Sequence, residues 1–173
     1  MSDPAKLDLD NYLPYLVNRV GTIIAEQFGG EALAPYRLSI AMWRVMAVLA
    51  SKGGQRQIDL AALTSIDAST LSRLVTRLVG LGVVSRTRSQ SSTREVVVKL
   101  TAKGKAQVVR IIPTAREYEA AAIADLRPEE LVALKHCLRR VYVNMKNRSA
   151  AMAASRALPR RDGVGRRSAA AAE

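Results

Sequence analysis

Apolar residues recur every three or four positions along most of the chain, which is the spacing of amphipathic helices. The first such segment runs from near Asn11 to about Phe28, and Gly29–Gly30 is expected to stop it. The second, LSIAMWRVMAVLA, has Ser39 as its predicted N-cap and Gly53–Gly54 just beyond its end. The opening of the chain therefore predicts two helices.

The next segment predicts two short helices joined by a tight turn. An apolar stretch from Ile58 to Leu63 is followed by Thr64–Ile66 and then by Asp67, a predicted N-cap. The helix after Asp67 is expected to end at Gly80 or Gly82. Its core-facing stripe consists of Leu71, Leu74, Val75 and Leu78, and its other face is polar. Two short helices with a three-residue turn are typical of a helix-turn-helix.

After Gly82 the period of the pattern changes from 3.6 to 2, which indicates strands. VVSRTR and REVVVKL alternate in polarity, and the polar turn Ser89–Thr93 separates them. A β-hairpin directly after a recognition helix is a wing. The fold class is therefore predicted to be mainly α with a small β-wing, a winged helix-turn-helix.

Two closing helices follow the predicted wing. Thr101 is expected to cap a long one, which Pro113 should kink or interrupt. The last helix is predicted to have Pro128 as its first residue. Its apolar stripe is formed by Leu131, Leu134, Leu138, Val141 and Met145. Residues 1–148 are thus predicted to form one winged-helix domain, with a DNA-binding lobe at about 38–104, and residues 149–173 a flexible basic tail.

The charge of the chain is strongly positive and unevenly distributed. The 173 residues carry a net charge of +12. The segment from Ser69 to Lys105 contains eight basic residues and one acidic residue, Glu95, so its net charge is +7. A concentrated basic segment indicates a polyanionic partner, usually nucleic acid. A solvated surface is the alternative interpretation of the same charges.

Several other classes of protein are disfavoured by the composition. Lys or Arg interrupts every apolar run before the roughly 18 residues that a membrane span needs. The opening MSDPAKLDLD does not resemble a signal peptide, so a cytoplasmic location is expected. One His and one Cys form no metal-ligand cluster, and no cofactor is expected. No G-x-S-x-G or P-loop occurs, and Gly80–Ser85 lacks the third glycine of a dinucleotide fingerprint, so an enzyme is not expected.

Three stretches of this sequence resemble the MarR family of bacterial regulators. Arg94–Gly104 matches the family's R-x-x-x-V-x-L-T-x-x-G signature, although Ser92 stands where an acidic residue usually precedes the arginine. LSIAMWRVMAVLA is similar to the family's second helix, and IDASTLSRLVTRLVGLGVVSR to its recognition helix and first wing strand. The resemblance covers roughly Leu9 to Met145.

The resemblance implies a homodimer that binds double-stranded DNA. In the family the first and last helices pair across a two-fold axis, recognition helices enter successive major grooves, and wings reach flanking minor grooves. The sequence also supports a dimer directly, because the first and last helices carry more apolar surface than a small winged domain can cover. A monomeric helical cap is the alternative. The implied function is a repressor.

The polar residues of the recognition helix and the wing are the candidate DNA contacts. Arg73 suits bidentate contact with a guanine, and Arg77, one turn later, suits a phosphate. The remaining candidates on this helix are Ser69, Thr70, Ser72 and Thr76. On the wing, Arg86, Arg88 and Arg94 are expected to enter a narrow minor groove.

A small-molecule effector is the second expectation from the resemblance. Most of the chain's seven aromatic residues lie between Tyr12 and Trp43, which suits an aromatic carboxylate or its CoA thioester. The candidate pocket residues are Asn11, Tyr12, Tyr15, Arg19, Tyr36, Arg37, Trp43 and His136. DLDNYLPYLVNRVG is similar to relatives that respond to hydroxycinnamate-type compounds or their CoA thioesters.

Three interpretations compete with an effector pocket. Trp43 is as readily a core residue, and Arg19 a member of an ion pair. An architectural DNA binder without an effector would use the same arginines.

Cys137 lies in the last predicted helix rather than the first, where the peroxide-sensing branch keeps its reactive cysteine, so an inert buried thiol is expected.

Overall fold

The computed structural model describes residues 6–88 and 96–157, except the side chains of Arg88 and of residues 153–157. Within these residues there are six α-helices and three strands. In chain order they are α1 (Leu13–Phe28), α2 (Ile40–Lys52), β1 (Gln55–Arg56), α3 (Gln57–Thr64), α4 (Ala68–Gly80), β2 (Val84–Arg88), β3 (Val96–Leu100), α5 (Ala102–Ala122) and α6 (Pro128–Ala157). The predicted class, mainly α with a small β-wing, is confirmed.

The chain divides into two compact units, residues 1–124 and residues 125–173. The first unit contains α1 to α5 and the sheet. Its strands run antiparallel in the order β1-β3-β2, with Arg86 opposite Val98 in the β2–β3 pair. The strand β1 is only two residues long, and the sequence analysis did not predict it.

The core of the first unit lies beneath the helix-turn-helix. From α2 it takes Met42, Val45, Met46 and Leu49, and from α4 it takes Leu71, Val75 and Leu78. Leu60 of α3, Val98 of β3 and Val108 and Ile111 of α5 complete its centre. The predicted stripe of α4 is therefore confirmed, and its burial fixes which face of α4 points outward.

The predicted N-caps are confirmed. The side chains of Ser39, Asp67 and Thr101 accept hydrogen bonds from backbone N–H groups three residues ahead, at 3.3, 2.8 and 3.1 Å. Each bond satisfies a donor that the first helical turn would otherwise leave unpaired. Three of the five helices in the first unit thus begin at the residue that local chemistry indicates.

The glycine at the end of α4 sets the direction of the chain into the wing. Gly82 has a φ of +71°, which glycine adopts without a steric penalty. Around it, the Gly82 N–H donates to the Val79 carbonyl and the Val83 N–H to the Leu78 carbonyl, at 2.9 and 3.2 Å. This pair of bonds is a Schellman motif, which ends α4 and starts β2 two residues later.

The predicted end of the first α-helix at Phe28, just before Gly29–Gly30, is confirmed, but the helical conformation does not stop there. Gly29 has φ −64° and ψ −42°, and the chain continues as a π-helical turn over Gly29–Leu33. Leu33 at the end of this turn is completely buried. Burial of a leucine is worth more than the roughly 1 kcal/mol that a helical glycine costs, so packing overrides the local signal.

Pro113 does not interrupt α5, which runs unbroken from Ala102 to Ala122. Val108 and Ile111 before Pro113 are buried in the core, and Ala115 and Tyr118 after it pack against that core. Their packing holds both halves of the helix in place, since most helical stability in proteins comes from a packed apolar face. The predicted interruption was therefore wrong, and the alternative, a kink at Pro113, stays a prediction.

The second unit consists mainly of α6, and this helix is longer than expected. It continues to Ala157, so the segment from residue 149, predicted to be a flexible tail, begins with helix. Residues 158–173 lie outside the described part. At its start, a Glu130 carboxylate oxygen accepts from the Arg127 N–H at 2.9 Å. Glu130, the third residue of α6, thereby makes one half of a capping box, in which its side chain accepts from the N–H of the N-cap residue.

Candidate nucleic-acid interface

The outward face of α4 carries the polar residues that were predicted to read DNA. Ser69, Arg73, Thr76 and Arg77 are exposed, and Ser72 is half-buried. The opposite face is held by Leu71, Val75 and Leu78, all fully buried. Because the buried stripe prevents α4 from turning about its axis, these polar groups are presented in one direction. No carboxylate on α4 competes for Arg73 or Arg77.

The first turn of α4 is ordered by Asp67. Its carboxylate accepts from the Thr70 N–H at 2.8 Å and from the Ser69 hydroxyl at 2.7 Å. Hydrogen bonds from Thr70 and then from Ser69 hold the pKa of Asp67 well below its usual range. The Arg73 guanidinium in turn approaches the Ser69 hydroxyl at 3.5 Å. Ser69 and Thr70 are therefore positioned by an ionised aspartate at the edge of the exposed face.

Arg86 of β2 lies against α4. Its Nη2 donates to the Ser72 carbonyl at 2.8 Å and to the Thr76 hydroxyl at 2.9 Å. The Thr76 hydroxyl itself donates to the Ser72 carbonyl at 2.9 Å. Arg86 thus ties the wing strand to the recognition helix, a role that its position in the sequence did not indicate. To enter a minor groove, as predicted, it would have to leave both bonds.

The base of the wing is closed by contacts from the start of α5. The Thr101 hydroxyl donates to the Gly82 carbonyl at 2.8 Å, and its N–H donates to the Val83 carbonyl at 3.1 Å. Gly104 approaches Val83 so closely that an added Cβ would lie 2.0 Å from the Val83 oxygen. The glycine in the L-T-x-x-G part of the signature is therefore a requirement of packing.

Two basic residues in this region support backbone carbonyls at the end of a helix. The Lys103 ammonium donates to the Leu81 carbonyl at 2.8 Å, beyond the last residue of α4. Arg44 of α2 donates to the Thr64 carbonyl at 3.4 Å, at the last residue of α3. Cations at these positions also interact favourably with the helix dipole. Sequence analysis included Lys103 only in the net charge of the basic segment, and it predicted no role for Arg44.

The outermost wing residues are not described. Arg94 and Ser92, together with the side chain of Arg88, lie outside the described residues. Their predicted contacts with DNA remain predictions.

The residues predicted to line an effector pocket lie on several different elements. Arg19 stacks over the Tyr15 ring at 5.6 Å, both on α1. Asn11 and Tyr12, just before α1, are exposed, and Asn11 donates to the Asp8 carboxylate at 2.7 Å. Arg37 is exposed in the left-handed conformation with φ +57°. His136 lies on α6, in the second unit, and is exposed.

The aromatic residues nearest the core form a cluster around Phe28. The Trp43 and Tyr118 rings meet the Phe28 ring edge-on, with centroids 5.9 and 5.6 Å apart. Tyr36 also packs against the core. A hydrogen bond with Glu31 raises the pKa of Tyr118. Trp43 therefore lies at the edge of the core, as the competing interpretation held, and Tyr118 is a member that sequence analysis missed.

Cys137 is exposed on α6, so the prediction of a buried thiol was wrong. Every side chain from Val132 to Met152 is exposed in the single chain, which leaves nothing to cover the thiol. Among the described residues, no group of three or more His, Cys, Asp or Glu side chains is placed to hold a metal ion.

No single helix in the described ranges is long and apolar enough to cross a membrane. One bent pair, Leu13–Tyr36 with Ile40–Lys52, passes the same test by length and composition.

Comparison with known proteins agrees with this architecture. Residues 38–96 match the MarR family. The chain is 28% identical over 152 residues to the transcriptional repressor NicR of Pseudomonas putida, covering 83% of this chain and 95% of that protein.

Two solved structures extend the comparison. A MarR family transcriptional regulator from Silicibacter pomeroyi superposes with a TM-score of 0.75 at 28% identity, covering 85% of this chain and 99% of that one. BpsR of Bordetella bronchiseptica, whose DNA binding is regulated by 6-hydroxynicotinic acid, shares the fold with a TM-score of 0.68. Its identity is 24%, covering 75% of this chain and 98% of that one.

These matches agree with the helix-turn-helix, the hairpin and the basic face of α4. The expectation of a DNA-binding regulator rather than an enzyme is confirmed. This chain is thus similar to the MarR family of winged-helix transcriptional regulators, over residues 38–96 by the family match and over most of its length by these relatives.

Proposed function

We propose that this regulator acts as a homodimeric repressor that binds a palindromic operator through α4 and the wing. A small aromatic acid or its CoA thioester releases it from the DNA. Its place of action is the cytoplasm, where bacterial DNA lies.

The single observation that carries the DNA contact is the orientation of α4. Its buried stripe faces the core, and its opposite face presents Ser69, Arg73 and Arg77 without a competing carboxylate on the helix. Arg73 lies one turn from the N-terminus of α4, where a recognition helix meets base edges. Arg77 lies one turn later, and we assign it to the phosphate backbone.

The dimer is supported by apolar side chains that the single chain leaves exposed. On α1 they include Leu13, Leu16, Val17, Val20 and Ile24, and on α6 they include Leu134, Leu138, Val141 and Met145. Each set recurs at helical spacing, so each forms a continuous stripe. Soluble monomers rarely expose contiguous apolar patches of this kind, which usually mark interaction sites.

The effector proposal is supported by the relatives and by residues near α1. BpsR has its DNA binding regulated by an aromatic acid, 6-hydroxynicotinic acid. In this chain the Arg19 guanidinium lies over the Tyr15 ring, which places a cation beside an aromatic surface. An arginine and a ring can together bind an aromatic carboxylate, the first by charge and the second by stacking.

Replacement of Arg73 tests the DNA contact. A binding site is first selected from a random DNA pool, and affinities are then measured by fluorescence anisotropy for that site and for random duplex. We expect Arg73→Ala to weaken binding to the selected site by about 1–3 kcal/mol and to relax the preference at one position of each half-site. Its affinity for random DNA should fall much less.

Arg77→Ala is the matched control, since it removes the same charge one turn further along α4. It should weaken binding to both DNAs alike. It should also reduce the slope of the logarithm of the binding constant against the logarithm of the salt concentration by about one. Equal losses on both DNAs for Arg73→Ala would show that Arg73 contacts only the backbone. A wild-type chain that selects no sequence at all would overturn the proposed function.

A further inference from the structure

A groove of 520 Å³ opens on the first unit, away from the aromatic cluster at Phe28. One side is the C-terminal end of α2 with Gly53–Gly54, and the other is the first half of α5. β3 contributes Lys99 and Leu100 between them. The volume lies in the range of small-molecule sites, which is about 300–1,000 Å³.

Two glycines shape one wall of this groove. Gly53 ends α2 with a φ of +76°, so the chain turns there in a way that other residues rarely adopt. Gly54 has no side chain, and the stem of Lys99 occupies that space. An added Cβ at Gly54 would lie 2.7 Å from the Lys99 Cγ. The stem of Lys99 thus lies against the backbone of Gly54 at the edge of the groove.

The chemistry of the groove is apolar with two cations. Its walls are formed by aliphatic side chains, among them Leu49, Val108, Val109 and Ile112, and Val109 is 68% exposed. Lys99 and Lys105 are the charged residues that line it, and no Asp or Glu lies among its lining residues. Neither lysine has an ion-pair partner within the described ranges.

We propose that this groove binds a small amphipathic carboxylate, with its apolar body against α5 and its carboxylate between the ammonium groups of Lys99 and Lys105. The aliphatic walls favour a hydrocarbon body over a sugar or a bare inorganic anion, and the two unpaired cations favour an acid over its neutral analogue. The inference rests on the proposed function, because it makes the groove a regulatory site for DNA binding.

Occupancy of the groove is expected to weaken DNA binding. β3 is a strand of the wing hairpin and pairs with β2 along its whole length, Lys99 lying opposite Ser85. A carboxylate at Lys99 and Lys105 adds one negative charge to the segment from Ser69 to Lys105, which lowers its net charge from +7 to +6. A lower net charge reduces the electrostatic attraction of the lobe for the phosphate backbone.

Calorimetric titration of the full chain with hexanoate, an aliphatic acid without the ring that stacking on Tyr15 would need, tests the site, with hexanamide as its uncharged analogue. We expect the acid to bind one site per chain and the amide to bind at least about fivefold more weakly. The double variant Lys99→Gln/Lys105→Gln should weaken binding of the acid by a similar factor. Lys52→Gln, a neighbouring lysine outside the groove, is the matched control and should bind like wild type.

A second variant blocks the groove without changing its charge. Ala50 is exposed and lines the groove, so Ala50→Trp fills it while leaving the core intact. Binding of hexanoate should be lost in this variant, whose thermal unfolding should match that of wild type. In the wild type, saturating acid should weaken binding to the selected DNA by at least about fivefold, and in Ala50→Trp it should have no effect.

The outcomes separate this inference from the proposed function. Equal binding of acid and amide, or full binding by Ala50→Trp, would place the ligand elsewhere and overturn the site. Absence of any binding by the acid would overturn it as well, while DNA binding measured without ligand would still support the regulator. Loss of DNA binding in the ligand-free wild type would instead remove the proposed function itself.

Discussion

Gly104 shows how one residue without a side chain joins the recognition helix to the rest of the unit. The backbone at Val83, just after α4, lies against the first turn of α5, and a Cβ at Gly104 would meet the Val83 oxygen at 2.0 Å. Thr101 bonds to the Gly82 and Val83 backbone in the same place. The orientation of α4 and of the wing therefore depends on this contact.

We expect Gly104→Ala to lower the free energy of unfolding by about 1–3 kcal/mol, because the backbone of Val83 cannot move aside as a side chain would. In an open helical site the same change would raise stability by up to about 1 kcal/mol. Urea unfolding followed by circular dichroism measures the difference. DNA binding should weaken as well, since β2 must shift.

Gly80→Ala provides the control for this prediction. Gly80 is the last residue of α4, and nothing lies within 4 Å of the position of its added Cβ. Its unfolding free energy should stay unchanged or rise. If Gly104→Ala is as stable as Gly80→Ala, the close approach to Val83 is not a constraint on the fold.

At the scale of elements, the hydrogen bonds of Arg86 between β2 and α4 set the position of the wing. Arg86 bonds to two oxygens of α4, and that single side chain joins elements that follow each other around the tight turn at Gly82. A wing held in this way approaches DNA together with the recognition helix. Its orientation is then fixed before binding, which lowers the entropy cost of the contact.

We expect Arg86→Ala to leave the fold intact but to free the wing strand from α4. Hydrogen exchange of the β2 and β3 amides should accelerate, and affinity for the selected DNA should fall. Arg86→Lys should behave similarly, because an ammonium on a flexible stem does not reproduce the fixed geometry of the guanidinium. Exchange measured by mass spectrometry, together with anisotropy titrations, checks both effects.

Arg77→Ala is the matched control here, since it removes an arginine from the same surface without touching the wing. Its affinity for DNA should fall, while exchange in β2 and β3 stays as in wild type. Identical exchange in Arg86→Ala and Arg77→Ala would show that the bonds to Ser72 and Thr76 do not hold the wing.

Local signals predicted the elements better than the contacts between them. The helix-turn-helix and the caps at Ser39, Asp67 and Thr101 were predicted correctly, because a cap depends only on residues within one turn. The π-helical turn after Phe28 and the unbroken helix through Pro113 were not predicted, because buried Leu33 and the packed Tyr118 outweigh the local preference for a break. The role of Arg86 was not predictable, since it depends on how β2 lies against α4.

For the whole molecule, the basic residues and the exposed apolar residues are concentrated in different parts of the chain. The excess of basic residues in the first unit lies in the segment from Ser69 to Lys105, which contains α4 and the wing. The long apolar stripes lie on α1 and α6, outside that segment. Sequence analysis predicted both stripes from their spacing, and in the proposed homodimer a second chain would cover them.

The homodimer can be tested by placing a charge on each stripe. Val20 on α1 is 56% exposed and Leu138 on α6 is 41% exposed, so a glutamate at either position should not disturb the single chain. In a dimer the carboxylate would be buried without a partner, which costs several kcal/mol. We expect Val20→Glu and Leu138→Glu each to raise the dimer dissociation constant by at least about 100-fold.

Light scattering coupled to size-exclusion chromatography measures this change as a fall from two chain masses to one. Ile58→Glu is the control, since Ile58 on α3 is 73% exposed and lies on neither stripe, and it should remain dimeric. The monomeric variants should also lose the paired footprint, whose half-sites we expect about 34–36 Å apart. A wild-type chain that protects one unpaired half-site, or a Leu138→Glu variant that stays dimeric, would contradict the two-fold arrangement.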